Sequence, residues 1–230
     1  MPVETLPAVK ARQSTVPYVL PFVVFVAFLA LQHLQLLSDH ADLILRTVVL
    51  SAVLVLVSQN VLSLRASRLL TSILLGVAVF VLWIAPDLLF PRYREHWLFQ
   101  NALLGTLQSS FSGDLRHDPL ALALRSFRAV VLVPMIEELF WRGWLMRWLI
   151  NTDFEKVKPG AYLAGSFWIT AVLFASEHGP YWDVGLIAGV LYNWWMVRTR
   201  CLADCIVAHA VTNLCLSAYV IGSGQWQYWI

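Results

Sequence analysis

The sequence predicts an all-α fold of about seven membrane-crossing helices (six to eight), and three observations carry that reading. First, 59% of the 230 residues are hydrophobic and only 13% are charged, with a mean hydropathy of +0.68, far from the balance of a soluble domain. Second, apolar runs of about 20 residues, the length that crosses a bilayer, recur between short polar turns. Third, strand-like alternation of polar and apolar residues is absent, which argues against an outer-membrane barrel. The net charge of +2 is too small to point to nucleic acid. Cys201, Cys205 and Cys215 are odd in number and lie among apolar residues, against a disulfide framework.

Residues 1–15 are polar, with Lys10 and Arg12, and read as a cytoplasmic tail; residues 16–230 read as one transmembrane domain. Prolines 7, 17 and 21 interrupt the start and no small-residue cleavage site follows, so the first apolar run is expected to stay as an anchor. The expected spans are Val16 to Leu37, Leu43 to Leu62, Leu69 to Phe90, Leu120 to Ile150, Ala161 to Phe174, Asp183 to Val197 and Leu202 to Ile221. Ser38 to Asp42 is an acidic turn between the first two. The long polar interval from Arg92 to Pro119 includes Leu98 to Leu107, expected to lie along the interface as an amphipathic helix. Gly185 and Gly189, four apart, permit a close helix contact.

Seven spans place Lys10/Arg12, Arg65/Arg68, Arg147/Lys156/Lys158 and Arg198/Arg200 on one side, cytoplasmic by the positive-inside rule, in a multi-pass inner-membrane topology. Arg92, Arg94 and Arg116 fall on the other side and break the pattern. Many of the eleven tryptophans sit near span ends, as interfacial anchors do. No repeated halves are visible.

The most informative stretch is Val133-Pro134-Met135-Ile136-Glu137-Glu138-Leu139-Phe140-Trp141-Arg142. A charge at the centre of a membrane helix costs roughly 2.5–3.5 kcal/mol on insertion scales, so three within six residues need a reason. On a helix Glu138 and Arg142 share a face, acid before base, the favourable order, while Glu137 points about 100° away. Glu138 can then be neutralised by Arg142, leaving Glu137 free for chemistry. A structural ion pair with a bystander glutamate is the alternative. Pro134 bends the helix beside the pair, which either opens space there or is a plain packing kink.

Further polar residues recur at helical spacing: Phe174 with His178, and His209 with Asn213. Imidazoles serve as general bases and as the commonest metal ligands. Each also has a structural alternative, a loop-end histidine at 178 and a helix-bridging histidine at 209. Cys201, Cys205 and His209 share one stripe, more simply read as buried packing than as a metal trio. His178 near the outer end of its helix and His209 nearer the inner end of its own imply different depths. Convergence requires either that the helix carrying His178 begin deeper, or that the last helix start in mid-membrane after a re-entrant Thr199-to-Asp204 segment.

Taken together and in order, Glu137-Glu138-Leu139-Phe140-Trp141-Arg142, Phe174-Ala175-Ser176-Glu177-His178 and His209-Ala210-Val211-Thr212-Asn213 resemble the three motifs of the CPBP intramembrane proteases, the CAAX prenyl endopeptidases and bacteriocin-processing (ABI) proteins. The resemblance spans Leu132 to Ser217. The Glu-His-Gly-Pro-Tyr-Trp run departs from the family's usual Gly-x-x-His and resembles a bacterial subgroup associated with exosortase systems. The resemblance implies an intramembrane endopeptidase with residues 120–221 as its catalytic core. Glu137 would activate water; His178, His209 and Asn213 would assist as catalytic residues; Glu138 and Arg142 would position them. It leaves open a divalent metal, zinc, held by His178 and His209 with Glu138 or Asn213, against a metal-free glutamate mechanism. The soluble His-Glu-x-x-His zinc signature is missing. The implied partners are membrane lipid and a membrane-anchored or lipidated protein. Two alternatives stand beside the protease: a non-catalytic immunity factor or scaffold, and a small proton-coupled transporter.

Overall fold

The computed structural model describes residues 15–31, 34, 37–102, 104–107, 109, 111 and 113–229; the tail over 1–14 lies outside them. It is all-α, with no strand among the described residues. Seven long helices follow in order: α1 Val16–Leu31, α2 Asp39–Ser58, α3 Leu69–Leu89, α4 Pro119–Trp148, α5 Ala164–Ser176, α6 Trp182–Thr199 and α7 Leu202–Ser223. Helices α2, α3, α4 and α7 are long and apolar enough to cross a membrane; α1 and α5 are apolar but shorter.

Helix α6 is the exception that explains the packing. Its polar residues lower its hydropathy, and it is enclosed, with Gly185, Gly189, Tyr192 and Asn193 among its buried residues. Helix α5 lies against it where the sequence places a glycine: a Cβ on Gly189 would meet the Ala171 carbonyl at 3.1 Å. Helix α3 meets α7 still more closely, since a Cβ on Gly76 would stand 2.4 Å from the Ala208 carbonyl. Helix α1 covers the second half of α4, with Phe22 stacked on Phe140 at 3.8 Å and Tyr18 over Gly143.

Helix α4 is continuous but not uniform. Pro134 has no N–H to offer the Val130 carbonyl, and just before it the helix widens into a π turn over Arg128–Leu132, where the Val133 N–H bonds back to the Arg128 carbonyl. A second π segment covers Leu139–Leu145. The acidic turn expected at Ser38 to Asp42 is the start of α2 itself. Ser38 caps it, accepting from Ala41 N, and Asp39 and Asp42 occupy the first turn, where carboxylates complement the helix dipole.

The amphipathic helix expected over Leu98 to Leu107 is absent from the described residues of that stretch. Asn101 donates to the Trp97 carbonyl and accepts from Leu104 N, and Gly105 takes φ +82°; such local side-chain bonds compete with helix formation. The surrounding loop closes one end of the bundle. Arg94 is buried between Asp87 and Asp183, 2.8 Å from each, and donates to the Pro180 carbonyl. Arg92 pairs with Glu95 at 2.6 Å. Two of the charges that break the positive-inside pattern are thus neutralised locally.

Asp118 caps α4 through Leu120 N and Ala121 N and takes a 2.5 Å contact from His40 on α2. The His40 hydrogen bond, with the two cap bonds, holds the Asp118 carboxyl below its ordinary value. A depressed carboxylate stabilises the fold above the unfolded pKa of about 3.9 and loses that contribution as pH falls through the folded value. The melting difference between wild type and Asp118→Asn is therefore expected to be widest near pH 6 and to close by pH 3. Gly76→Ala should lower stability by about 1–3 kcal/mol through overpacking. Gly165→Ala, with open space at its Cβ, should not, as thermal unfolding in detergent will show.

Candidate active site

The site begins with the ion pair. Glu138 and Arg142 are each 0% exposed, and the guanidinium donates to Glu138 Oε1 at 3.0 Å. Arg142 is also held from α6: its Nε donates to Asn193 Oδ1 at 2.9 Å and its Nη2 to the Gly189 carbonyl at 3.3 Å. Asn193 donates in turn to the Phe167 carbonyl on α5 at 2.8 Å, and the Phe174 ring lies 4.6 Å from the guanidinium carbon. One arginine therefore ties α4, α5 and α6 together. Asn193 was not singled out in the sequence; an amide inside an apolar helix, four residues after Gly189 and eight after Gly185 on the same stripe, is the signal that could have marked it.

His209 joins the same carboxylate. Its Nδ1 lies 3.0 Å from Glu138 Oε1, so Glu138 orients both a base and an imidazole. His178 Nδ1 lies 2.8 Å from the Phe174 carbonyl. A carbonyl only accepts, so Nδ1 carries the proton and a neutral His178 keeps its Nε2 lone pair free. Gly185 makes room for this ring, since a Cβ there would touch it at 3.2 Å. Asn213 donates through Nδ2 to the Ala129 carbonyl at 2.8 Å, beside the π turn of α4.

Glu137 is different. It is 6% exposed and its Oε2 is buried without a hydrogen-bond partner. It lines a cavity of about 200 Å³ together with His178, His209 and Asn213. All four side chains singled out in the sequence as catalytic thus border one hollow, and Glu138 and Arg142 sit behind it. Glu177, Tyr192 and Thr212 also line it; Tyr192 donates to Thr212 and stacks on His209 at 5.2 Å.

Of the two routes to convergence, the re-entrant one is not taken. Only Arg200 and Cys201 separate α6 from α7, so there is no re-entrant segment. His178 sits beside Gly185 and His209 beside Tyr192, two turns apart on α6, about 10 Å at 1.5 Å per residue. The Phe174 ring spans the gap, 4.8 Å from one imidazole and 6.0 Å from the other.

A catalytic zinc usually takes three protein ligands about 2 Å away. Among the described residues no three His, Cys, Asp or Glu side chains form such a group. His178 and His209 with Glu138 are thus not such a group, and the Asn213 amide is turned with its Nδ2 to the Ala129 carbonyl. The Cys201/Cys205/His209 stripe does not converge either: Cys205 contacts the Tyr192 carbonyl and Cys201 the Arg65 carbonyl.

Asn193→Ala strands Arg142 Nε and removes the side-chain bond to the Phe167 carbonyl, and should cost about 1–3 kcal/mol. Glu138→Ala leaves a buried guanidinium unpaired and should cost about 3–5 kcal/mol. Unfolding midpoints of the two purified variants against wild type check the order.

No curated protein and no solved structure matches the chain. One family model does, described as type II CAAX prenyl endopeptidase Rce1-like, over residues 119–215. That range runs from the first turn of α4 through α7 past Asn213 and includes Glu137, Glu138, Arg142, His178, Asn193 and His209. Over those 97 of the chain's 230 residues the protein is similar to the Rce1-like family of CAAX prenyl endopeptidases.

Proposed function

We propose that the protein is a CAAX-type intramembrane endopeptidase, hydrolysing a peptide bond of a membrane-anchored or lipidated protein. The observation that carries the reading is the contrast between two adjacent carboxylates: Glu138 is engaged by Arg142 and His209, while Glu137 faces the cavity with an unpartnered oxygen. In the proposed reaction Glu137 takes a proton from a water whose oxygen attacks the peptide carbonyl carbon. His178, with its Nε2 lone pair free, orients that water. His209, fixed by Glu138, and the second amide hydrogen of Asn213 face the developing oxyanion. Glu137 returns its proton to the leaving nitrogen as the C–N bond breaks, giving a carboxylic acid and an amine, and the acid's remaining proton then passes to the amine to leave a carboxylate and an ammonium. Buried preorganised donors of this kind are the usual large term in stabilising such an oxyanion. Because the histidines do not fit a three-ligand metal group, the steps are assigned to this chain's own residues.

Glu137→Gln should reduce cleavage of a membrane-anchored peptide at least 100-fold, within the range for a positioned acid–base group, while leaving the melting temperature unchanged or higher. Mass spectrometry of the products in proteoliposomes reads this. Retained cleavage by the variant would favour a scaffold. Dialysis of wild type against a strong chelator should leave activity within twofold; its loss, restored by zinc, would overturn the metal-free assignment.

A further inference from the structure

Residues 92–118 lie outside the stretch that matches the family model, yet one of their side chains reaches the turn that carries His178. Arg94 is buried. Its Nη1 donates to the Pro180 carbonyl at 2.7 Å and to Asp183 Oδ1 at 2.8 Å, and its Nε stands 2.8 Å from Asp87 Oδ1 near the end of α3. The guanidinium carbon lies 4.2 Å from the centre of the Tyr181 ring. One cation thus grips α3, the start of α6 and the backbone between α5 and α6. An ionic cluster out of water is often no more stabilising than apolar side chains of similar volume. What this one supplies is geometry, because a planar guanidinium holds a carbonyl and two carboxylates in set directions.

The backbone it grips is short. Helix α5 ends at Ser176 and α6 begins at Trp182, and only Glu177 to Tyr181 lie between. Gly179 takes φ +48°, which L side chains rarely adopt, and the Tyr181 N–H bonds back to the His178 carbonyl at 2.9 Å. His178 itself, with φ −93° and ψ 9°, sits between helix and strand values. Its backbone has left α5, so the direction of its ring depends on how the turn is held. Two routes run from Arg94 to that ring. One is the backbone from Pro180 to His178. The other is a row of rings: Arg94 covers Tyr181, Tyr181 lies 6.2 Å from Trp83 at an interplanar angle of 22°, and Trp83 meets His178 edge-on at 5.2 Å.

Resting on the protease reading above, we propose that Arg94 is a positioning residue: through the Gly179–Tyr181 turn it sets where His178 Nε2 points within the cavity, and so the alignment of the attacking water. A displacement of about 1 Å in such a group costs about 100-fold in rate. His209 takes its direction from Glu138 instead, so the two imidazoles are set independently.

The test reads the two imidazoles separately. Full-length Glu137→Gln protein carrying nitrogen-15-labelled histidine is placed in phosphatidylcholine nanodiscs, and its ring resonances are assigned through His178→Gln and His209→Gln. Two changes are made in it: Arg94→Lys, and the triple change Asp87→Asn, Arg94→Gln, Asp183→Asn, which leaves no charge of the cluster unpaired. Both should move the His178 resonances and leave those of His209 in place. With Glu137 restored, the triple variant should cleave a membrane-anchored peptide with kcat about 10- to 100-fold lower and KM within twofold of wild type, and Arg94→Lys should fall between. In a His178→Gln background the triple change should cost less than about twofold more, since the two act as one unit. Arg94→Lys carries the same readings should the triple variant fail to fold. Unmoved His178 resonances, equal movement of both imidazoles, or a full loss of rate on top of that of His178→Gln overturns the positioning role and leaves the protease standing. Should wild type cleave no peptide, the movement of the His178 resonances alone decides whether Arg94 holds that ring, and the protease reading falls by itself.

Discussion

A guanidinium that no water can reach is the constraint around which the rest is arranged. Arg142 is 0% exposed and cannot shed its charge, so the fold must surround it with acceptors. It does so with one carboxylate, one amide oxygen and one carbonyl, from two helices. Each acceptor constrains its own element. Gly189 must be glycine for α5 to approach, and its carbonyl then faces the arginine. Asn193 reaches both Arg142 and the α5 backbone. Glu138 passes the constraint on to His209 in α7. The order of helices α4 to α7 is therefore set by hydrogen bonding to one buried charge more than by apolar packing, as expected where lipid offers no hydrophobic drive between helices.

How much of this was legible in the sequence follows from which interactions are local. The Glu138–Arg142 pair is four residues apart on one helix, and its spacing alone predicts the contact. The freedom of Glu137 follows from the same geometry. The spans were legible because apolar length is a strong signal, although α6 reads as an ordinary span and its buried polar residues keep it out of the helices apolar enough to cross. The links between helices were not legible. Nothing in the sequence joins His209 to Glu138 or Asn193 to Arg142, since both are contacts between residues about fifty or more positions apart. The loop after α3 read as an interfacial helix because its apolar residues are periodic; side-chain bonds from Asn101 overrule the period there. Arg94, one of the arginines that offend the positive-inside count, is the buried partner of two acids that the count ignores.

The π turns were the least legible feature and have the largest consequence for the cavity. The proline explains why a carbonyl is released, and not how the helix recovers it. The wider turn just before it shifts the bonding by one residue, Val133 N–H to the Arg128 carbonyl, which rotates the face of α4 between Arg128 and Glu137. Without that rotation Arg128 and Glu137 would lie on opposite sides of one helix. Asn213, bonded to the Ala129 carbonyl inside this turn, anchors α7 to the place where the register changes. The same distortion thus positions three of the polar groups bordering the hollow.

The adjacency of the two glutamates is itself an argument. They occupy neighbouring positions on one helix at nearly one depth, so the penalty for bringing each out of water is similar. Glu138 receives two donors on one oxygen, and its loss would strand an arginine and loosen an imidazole. Glu137 receives no ion-pair partner, and its buried oxygen adds cost without structural return. A chain selected for stability alone has no use for the second acid, because an apolar side chain of similar size would pack there more favourably. Local rules broken without compensation mark functional positions, and here the break lies on the wall of a cavity that two histidines and an asparagine also face.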